Sequence, residues 1–301
     1  MSVYVQQIFN GIAQGCTYSL IAIGYAMIFG ALRKMNYSHS YVYMFGSMCA
    51  YTVLNAILPK CGNMFVLIVV GIASGMLGAA LVGFIIEMVS IRPLRKAPRM
   101  ASSLCTIGFG YFLQEIARFL WGAEDHRFIQ NFKWLRVFSI DAIGLSFTNL
   151  QFVMFGVTIL IILSLQLFLY KTTTGRAIRA ISMNETAAQL MGINLNRISS
   201  MTFMISSAIS GAAGVLVGFY YRLCSPYMGA MPGTKAFAAI VLGGLTSIPG
   251  AAIGGIILGL SENIAGIFVG DAWRDGVAYA IFFIMLIIRP QGIFGEKKLG
   301  G

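Results

Sequence analysis

The chain has 301 residues, of which 58% are hydrophobic and 10% are charged. A soluble domain carries about 25% charged residues, so this composition excludes a soluble globular protein and predicts an integral membrane protein. The net charge of +11 is scattered over short polar segments, which favours a role in membrane orientation over nucleic-acid binding.

The apolar segments follow one another through the whole chain, and a helix that crosses a bilayer needs about 20 such residues. The seventh segment is short and flanked by Gly and Pro, so we expect a broken or tilted helix at residues 233–245 that either crosses or re-enters. The predicted fold is one all-α transmembrane helix bundle over residues 1–301, with eight or nine transmembrane helices. The predicted spans are Ile8–Leu32, Tyr41–Leu58, Met64–Ile91, Met100–Trp121, Leu150–Tyr170, Ser200–Tyr220, Ala236–Leu245, Ile248–Val269 and Val277–Ile288.

The distribution of Lys and Arg predicts the orientation, because cytoplasmic loops are enriched in both. If the loops at residues 33–34, 92–99 and 171–197 and the C-terminus are cytoplasmic, that side holds 13 of the 21 basic residues and the other side holds 8. With nine crossings, the N-terminus is then outside and the C-terminus is in the cytoplasm. The long external loop, Gly122–Asn149, could form a hairpin or a lid.

The loop at residues 171–199 is too long and too polar for a plain connector between two spans. We predict that Gly175 breaks the helix of the fifth span. Arg176 and Arg179 then lie on one face of the next turns, at i and i+3.

A second short helix, Glu185–Met191, is predicted in the same loop. Asn184 is a good N-cap and Gly192 a plausible stop. The apolar face of this helix could lie on the lipid surface or in a groove of a cytoplasmic partner; the lack of a Trp or Phe anchor favours the partner. The candidate docking residues are Arg176, Arg179, Glu185, Ala187, Leu190, Met191 and Gly192.

Three glutamates lie in or near spans, where an ionisable group is costly and suggests a function. Glu87 could pair with Arg92 at i and i+5 or extend its carboxylate towards the membrane surface, and Glu115 could pair with Arg118 at i and i+3. Glu262 has no partner in sequence, so a role in the transport pathway and a role between helices are both open.

Two further motifs each have a structural and a functional interpretation. His39 follows Asn36 and Ser38 at the start of the second span, where it could help to cap the helix or line a gate. The run Ser247-Ile-Pro-Gly follows the pair Gly243-Gly244. This broken region could line a pathway, because free backbone groups in a membrane are tolerated only beside a cavity or inside protein, or it could be a packing kink.

The sequence resembles a known family along nearly its whole length. The run GRAIRAISMNETAAQLMGIN from Gly175 is similar to the coupling loop of LivH-type permeases, the membrane subunits of branched-chain amino acid ABC importers. The run KAFAAIVLGGLTSIPGAAIGG from Lys235 resembles that family's signature, and RPQGIFG from Arg289 resembles its C-terminal motif.

The resemblance implies a mechanism and a set of partners. An external binding protein would deliver an amino acid to this permease and a second, LivM-type permease. Two cytoplasmic ATPases would bind ATP and Mg²⁺, since this chain has no phosphate-binding loop motif of its own and no cofactor or metal is expected on it. The location implied is the bacterial inner membrane. The candidate pathway or gate residues are Asn36, His39, Lys235, Phe237, Gly243, Gly244, Ser247, Pro249, Gly250 and Glu262.

The chain departs from the family pattern at a few positions. The family commonly has N-F-[AS]-H-G-E where this chain has NYSHSY from Asn36, so Ser40 and Tyr41 replace a glycine and an acid. Thr234 and Thr246 also stand where glycine is usual. These departures leave open another small substrate, such as urea, an amide or an aromatic amino acid. A secondary transporter or a channel is the alternative class, whereas an intramembrane enzyme lacks any recognisable catalytic set.

Overall fold

The computed structural model describes residues 2–58, 63–128, 137–140, 145–289 and 291–295. The described part is a bundle of helices with two small antiparallel strand pairs, β1 with β4 and β2 with β3. The helices are α1 (Ser2–Leu32), α2 (His39–Ile57), α3 (Met64–Ile86), α4 (Arg99–Trp121), α5 (Asn149–Lys171), α6 (Thr173–Met183), α7 (Glu185–Leu190), α8 (Leu195–Tyr221), α9 (Ala230–Gly243), α10 (Ile248–Val269) and α11 (Arg274–Ile288). The strands are β1 (His126–Arg127), β2 (Val137–Ile140), β3 (Leu145–Thr148) and β4 (Leu223–Cys224).

Each predicted span coincides with one of these helices, and the all-α prediction is confirmed. Five helices in the described ranges are long and apolar enough to cross a membrane, namely α1, α3 with its last turn, α5, α8 and α10. Helices α9 and α11 have only 14 and 15 residues, which gives about 21–23 Å of helix against a hydrocarbon core of about 30 Å. The count of eight or nine crossings therefore stays a prediction.

Helix α1 lies at the centre of the bundle. Its middle residues, Leu20 to Ile23, are fully buried, and its main neighbour is α10. Gly255 and Gly259 of α10 lie against the backbone of Ser19 and Gly15, so the two helices approach more closely than larger side chains would allow. By contrast, α3 and α5 expose apolar side chains such as Leu77 and Leu160, as expected of helices that face lipid or another subunit.

The loop after α4 contains the β2–β3 strand pair, which agrees with the hairpin alternative for this loop. Residues 129–136 and 141–144 of the loop lie outside the described ranges. Phe128 is fully buried against Phe219 of α8, with 5.0 Å between the ring centroids. The loop is thus anchored on the bundle at one end.

Candidate functional site

The predicted short helix in the polar loop is present as α7, and its cap is the predicted one. The side-chain oxygen of Asn184 accepts a hydrogen bond from the backbone N–H of Ala187 at 2.9 Å. Glu185 occupies the first turn, where a negative charge suits the helix dipole. The chain leaves the helix at Gly192, whose φ of +84° is a left-handed conformation that favours glycine.

Helix α7 holds its predicted apolar face away from the bundle. Leu190 is 84% exposed and Met191 is 83% exposed, while Ala188 is buried and anchors the helix. Ala187 is also exposed. A helix of six residues is not stable alone in water, so its contact with the bundle through Ala188 stabilises it while this apolar face stays exposed.

Helix α6 corrects the prediction that Gly175 breaks the fifth span. The break is at Thr172, whose hydroxyl accepts a hydrogen bond from Gly175 N–H at 3.0 Å. Gly175 lies inside the first turn of α6, where a Cβ atom would collide with the backbone of Phe168 and Leu169. The glycine is therefore required for the close approach of α6 to the end of α5.

The two arginines of α6 have different surroundings. Arg176 is exposed, whereas the guanidinium of Arg179 lies 4.5 Å from the centroid of the Tyr170 ring, in a cation–π contact. Arg179 thus turns back towards α5, and only Arg176 of this pair faces outwards.

Glu87 is the centre of a buried charge cluster beside this loop. Its carboxylate accepts hydrogen bonds from Arg92 at 2.9 Å, from Arg95 at 3.1 Å and from Ser200 at 2.8 Å. The turn Glu87–Ile91 is a π-helix, in which Arg92 N–H bonds to Glu87 C=O at 2.8 Å, so the predicted i, i+5 pair is confirmed. Because Ser200 lies in α8, the cluster fixes the start of the helix that follows the loop.

The predicted pair of Glu115 and Arg118 is also present, at 2.8 Å on the surface of α4. Both side chains are about half exposed. The two charges neutralise each other locally and do not mark a site.

A cavity of about 440 Å³ lies between α1, α2, α4, α9 and α11. Its wall is mainly aromatic, and Phe237 is the one predicted pathway residue that lines it. Among the residues that the structure describes, no charged side chain lines this cavity. The lining residues are Tyr25, Tyr37, Ser40, Tyr41, Ile107, Tyr111, Ala230, Gly233, Thr234, Phe237, Tyr279 and Phe282.

Asn36 and His39 lie behind this wall. Asn36 accepts hydrogen bonds from the backbone N–H and the hydroxyl of Ser38 and so forms the turn before α2. The His39 ring is fully buried and packs edge-on against Tyr25, with centroids 4.8 Å apart. Asn36 therefore caps the turn, and His39 supports a tyrosine of the cavity without lining it.

Lys235 and Glu262, predicted separately, are direct partners. Lys235 Nζ lies 2.6 Å from Glu262 Oε1 and 2.6 Å from Asp275 Oδ1. Glu262 also accepts hydrogen bonds from Tyr18 at 3.0 Å and Gln14 at 3.2 Å. The network joins α1, α9, α10 and α11, which is the interhelical role left open for Glu262.

Sequence reasoning missed Asp275, Tyr18 and Gln14 as members of this network. Asp275 opens an apolar helix, and that position is the only local signal that could have singled it out. Tyr18 and Gln14 carry no such signal, because their role depends on how α1 packs against α10.

The junction between α9 and α10 is a real break in the helix, but its backbone groups are satisfied by protein. The carbonyl oxygens of Leu242 and Gly243 accept hydrogen bonds from the backbone N–H groups of Ile293 and Phe294, at 2.9 Å and 3.0 Å. Gly244 has a φ of +116° and packs against Gly295. The C-terminal segment at residues 291–295 therefore caps α9.

Helix α10 begins beside this cap. Ser247 accepts a hydrogen bond from Gly250 N–H at 3.1 Å, and Pro249 lies in the first turn. Gly250 and Gly243 pack backbone against backbone. For Gly243, Gly244, Pro249 and Gly250, the geometry favours the packing interpretation over the pathway.

No group of three or more His, Cys, Asp and Glu side chains in the described residues could hold a metal ion. The candidate site thus consists of an aromatic cavity, a buried ion network beside it and the exposed helix α7 in the polar loop. These features suit the passage of a small solute and contact with other subunits.

A family model described as the permease component of branched-chain amino acid transport systems matches residues 7–286. The chain belongs to this family. It is 37% identical over 299 residues to the permease protein LivH of the high-affinity branched-chain amino acid transport system of Salmonella typhimurium, covering 98% of this chain and 97% of that one. It is 34% identical to BraD of Pseudomonas aeruginosa, a permease protein of the same kind of system, with the same coverage.

The fold is similar to that of a solved ABC transporter structure. That structure is described as an inward-facing conformation of a metal-chelate type ABC transporter and matches with a TM-score of 0.51 and 13% identity, over 94% of this chain and 85% of that one. Family membership and fold together make the chain a permease subunit of an ABC importer, a multi-pass membrane protein.

Proposed function

We propose that this permease carries branched-chain amino acids, delivered by an external binding protein, across the bacterial inner membrane. Its relatives LivH and BraD belong to branched-chain amino acid transport systems. The aromatic cavity of about 440 Å³ supports an apolar substrate, because ligand sites of this size are mostly apolar with a few polar groups. The polar groups here are hydroxyls such as those of Tyr41 and Thr234.

The proposed assembly contains a second, LivM-type permease and two cytoplasmic ATPases that bind ATP and Mg²⁺. The positive-inside rule places the loop at residues 171–199 in the cytoplasm, with the N-terminus outside and the C-terminus inside. Helices α6 and α7 are then the elements that an ATPase contacts. This proposal rests on the exposed apolar face of α7. An apolar helix face that does not pack against its own bundle can bind in a groove on a partner protein.

A second candidate is the same kind of importer for a different small solute. Ser40, Tyr41 and Thr234 depart from the family pattern, and all three line the aromatic cavity. Tyr41 stands where the family commonly has an acid, so an amino acid's ammonium group loses one possible partner here. Binding of leucine, isoleucine, valine, aromatic amino acids, amides and urea to the cognate binding protein decides between the two candidates.

The coupling role is tested by Leu190→Asp, with Gln189→Asp as the matched control. The control residue lies on the opposite side of the same short helix, because residues 187, 190 and 191 share one face. In proteoliposomes with the complete importer, Leu190→Asp should lower uptake per ATP hydrolysed at least tenfold, about 1.4 kcal/mol of coupling, and Gln189→Asp should change it little. Equal effects of the two variants, or normal uptake by Leu190→Asp, would overturn the coupling role.

A further inference from the structure

Two neighbouring cavities lie beside helix α6 of the loop at residues 171–199. One, of about 420 Å³, lies between the end of α1, helix α6 and the start of α10. The other, of about 340 Å³, lies between the end of α5, helix α6 and the start of α10. Both are lined by Leu169, Arg179, Thr246 and Ile248, so Arg179 stands between them.

The charge of these cavities is positive. Arg33 lines the larger one, Arg179 lines both, and no acidic side chain is among the described residues that line either of them. One acid, Glu185, lines a third cavity next to them, together with Arg33, Lys34 and Arg95. The Nε atom of Arg179 is buried and has no hydrogen-bond partner in the described part of the chain, and the side chain lines both cavities.

The same cavities have an apolar side that continues onto the outer surface of α5. Leu169 and Ile178 line the larger cavity beside its polar groups. Tyr170 lines the smaller one and is 63% exposed, and Leu163 and Leu167, further along α5, are exposed as well. A tyrosine at the end of a lipid-facing helix is typical of the level of the lipid headgroups.

We propose that Arg179 and Arg33 bind the phosphate of an anionic phospholipid, whose acyl chain lies along the exposed face of α5. Basic pockets between helices at the cytoplasmic side of a membrane bind anionic lipid headgroups, and arginine matches a phosphate with paired N–H donors. A headgroup requires the cations, and an acyl chain requires the apolar surface that leads away from them. An acidic side chain of a cytoplasmic ATPase would pair with the two arginines but would leave this apolar surface without a partner, so the lipid is the better match.

The site has a consequence for transport, because Arg179 belongs to α6 and α6 leads directly into α7. A lipid held between Arg179 and Arg33 fastens α6 to the end of α1. The importer should therefore couple ATP hydrolysis to uptake better in membranes that contain the anionic lipid. This consequence rests on the proposed function, whereas lipid binding itself does not.

Lipid retention by the purified full-length permease tests the site directly. The protein is exchanged into detergent with phosphatidylglycerol or phosphatidylcholine, and the bound lipid is counted by native mass spectrometry. Since each basic residue near the membrane surface contributes roughly a fivefold preference for anionic lipid, Arg33→Gln and Arg179→Gln should each lower phosphatidylglycerol retention about fivefold. Retention by Arg176→Gln, the exposed arginine one turn earlier on α6, should be unchanged, and Arg179→Lys should keep most of it.

Several results would overturn the proposal. One is undiminished retention by the double variant Arg33→Gln/Arg179→Gln; another is equal loss in Arg176→Gln. Displacement of the lipid by inorganic phosphate would show that the site binds free phosphate. Loss of the lipid when the ATPases bind would show that Arg33 and Arg179 belong to the contact with the ATPases. Because retention is measured without ATP or a binding protein, its failure and a failure of the proposed transport function are seen separately.

Discussion

Lys235 of α9 and Glu262 of α10 form a buried ion pair, with 2.6 Å between Nζ and Oε1. Asp275 of α11 shares the same ammonium group but is 40% exposed. Lys235 therefore links three helices, with one partner that is buried from water and one that water can reach.

The first prediction concerns this pair. Glu262→Gln leaves the buried ammonium of Lys235 with only Asp275, which is 40% exposed, so we expect a loss of about 1.5–3 kcal/mol in the free energy of unfolding, as for one lost hydrogen bond to a charged group. Asp275→Asn is the matched control and should cost clearly less, because water can reach that position. Thermal melting of the purified permease measures both. If Glu262→Gln melts like the wild type but abolishes uptake, the glutamate belongs to the pathway.

The second prediction compares two glutamates that form ion pairs with different burial. Glu87 is fully buried and pairs with two arginines whose side chains are 33% and 20% exposed, whereas both members of the Glu115 pair are about half exposed. Glu87→Gln should cost about 1.5–3 kcal/mol, because it removes the charged acceptor of these hydrogen bonds, and Glu115→Gln should cost between about 0 and 1 kcal/mol. Denaturation of the two variants measures the difference. Similar losses for both would show that the buried cluster does not stabilise the start of α8.

The third prediction separates packing from transport at the junction of α9 and α10. Gly243→Ala places a methyl group against the backbone of Gly250, so we expect a melting temperature well below that of the wild type. Gly156→Ala is the same change in α5, where a Cβ atom would meet nothing within 4 Å, and alanine's better helix propensity should leave stability equal or slightly higher. Normal melting of Gly243→Ala together with lost uptake would restore the pathway interpretation.

The fourth prediction concerns the C-terminal cap of α9. Ile293→Pro removes the N–H group that bonds to Leu242 C=O, and an unsatisfied buried carbonyl costs about 1–3 kcal/mol. Ile293→Ala keeps that N–H group and serves as the control for the lost side chain. Comparison of their melting temperatures isolates the hydrogen bond, and equal melting would mean that this bond does not stabilise the junction.

Features set by neighbours in sequence could be predicted without a structure. The cap at Asn184, the stop at Gly192 and the pair of Glu87 with Arg92 each depend on residues within one or two turns. The positions of the spans follow from apolar composition alone. These parts of the fold require no knowledge of how the helices pack.

Features set by helix packing could not be predicted in this way. Lys235 and Glu262 are separated by 27 positions, and nothing local shows that they meet. Gly175 looks like a helix breaker, and only the position of α5 shows that it is needed for a close approach. The motif from Arg289 could be matched to the family by its sequence. Its role as the cap of α9 depends on hydrogen bonds to Leu242 and Gly243, which the sequence does not show.

The central position of α1 has a consequence for the order in which the protein is made. This helix leaves the ribosome well before its main neighbour, α10, which begins at residue 248. At about 5–20 residues per second, α1 spends roughly 10–40 s in the membrane before Gly259 can reach Gly15. During that time Gln14 and Tyr18 have no access to Glu262. We therefore expect versions truncated before α10, in which α1 never gains this packing, to be degraded faster than the full-length chain.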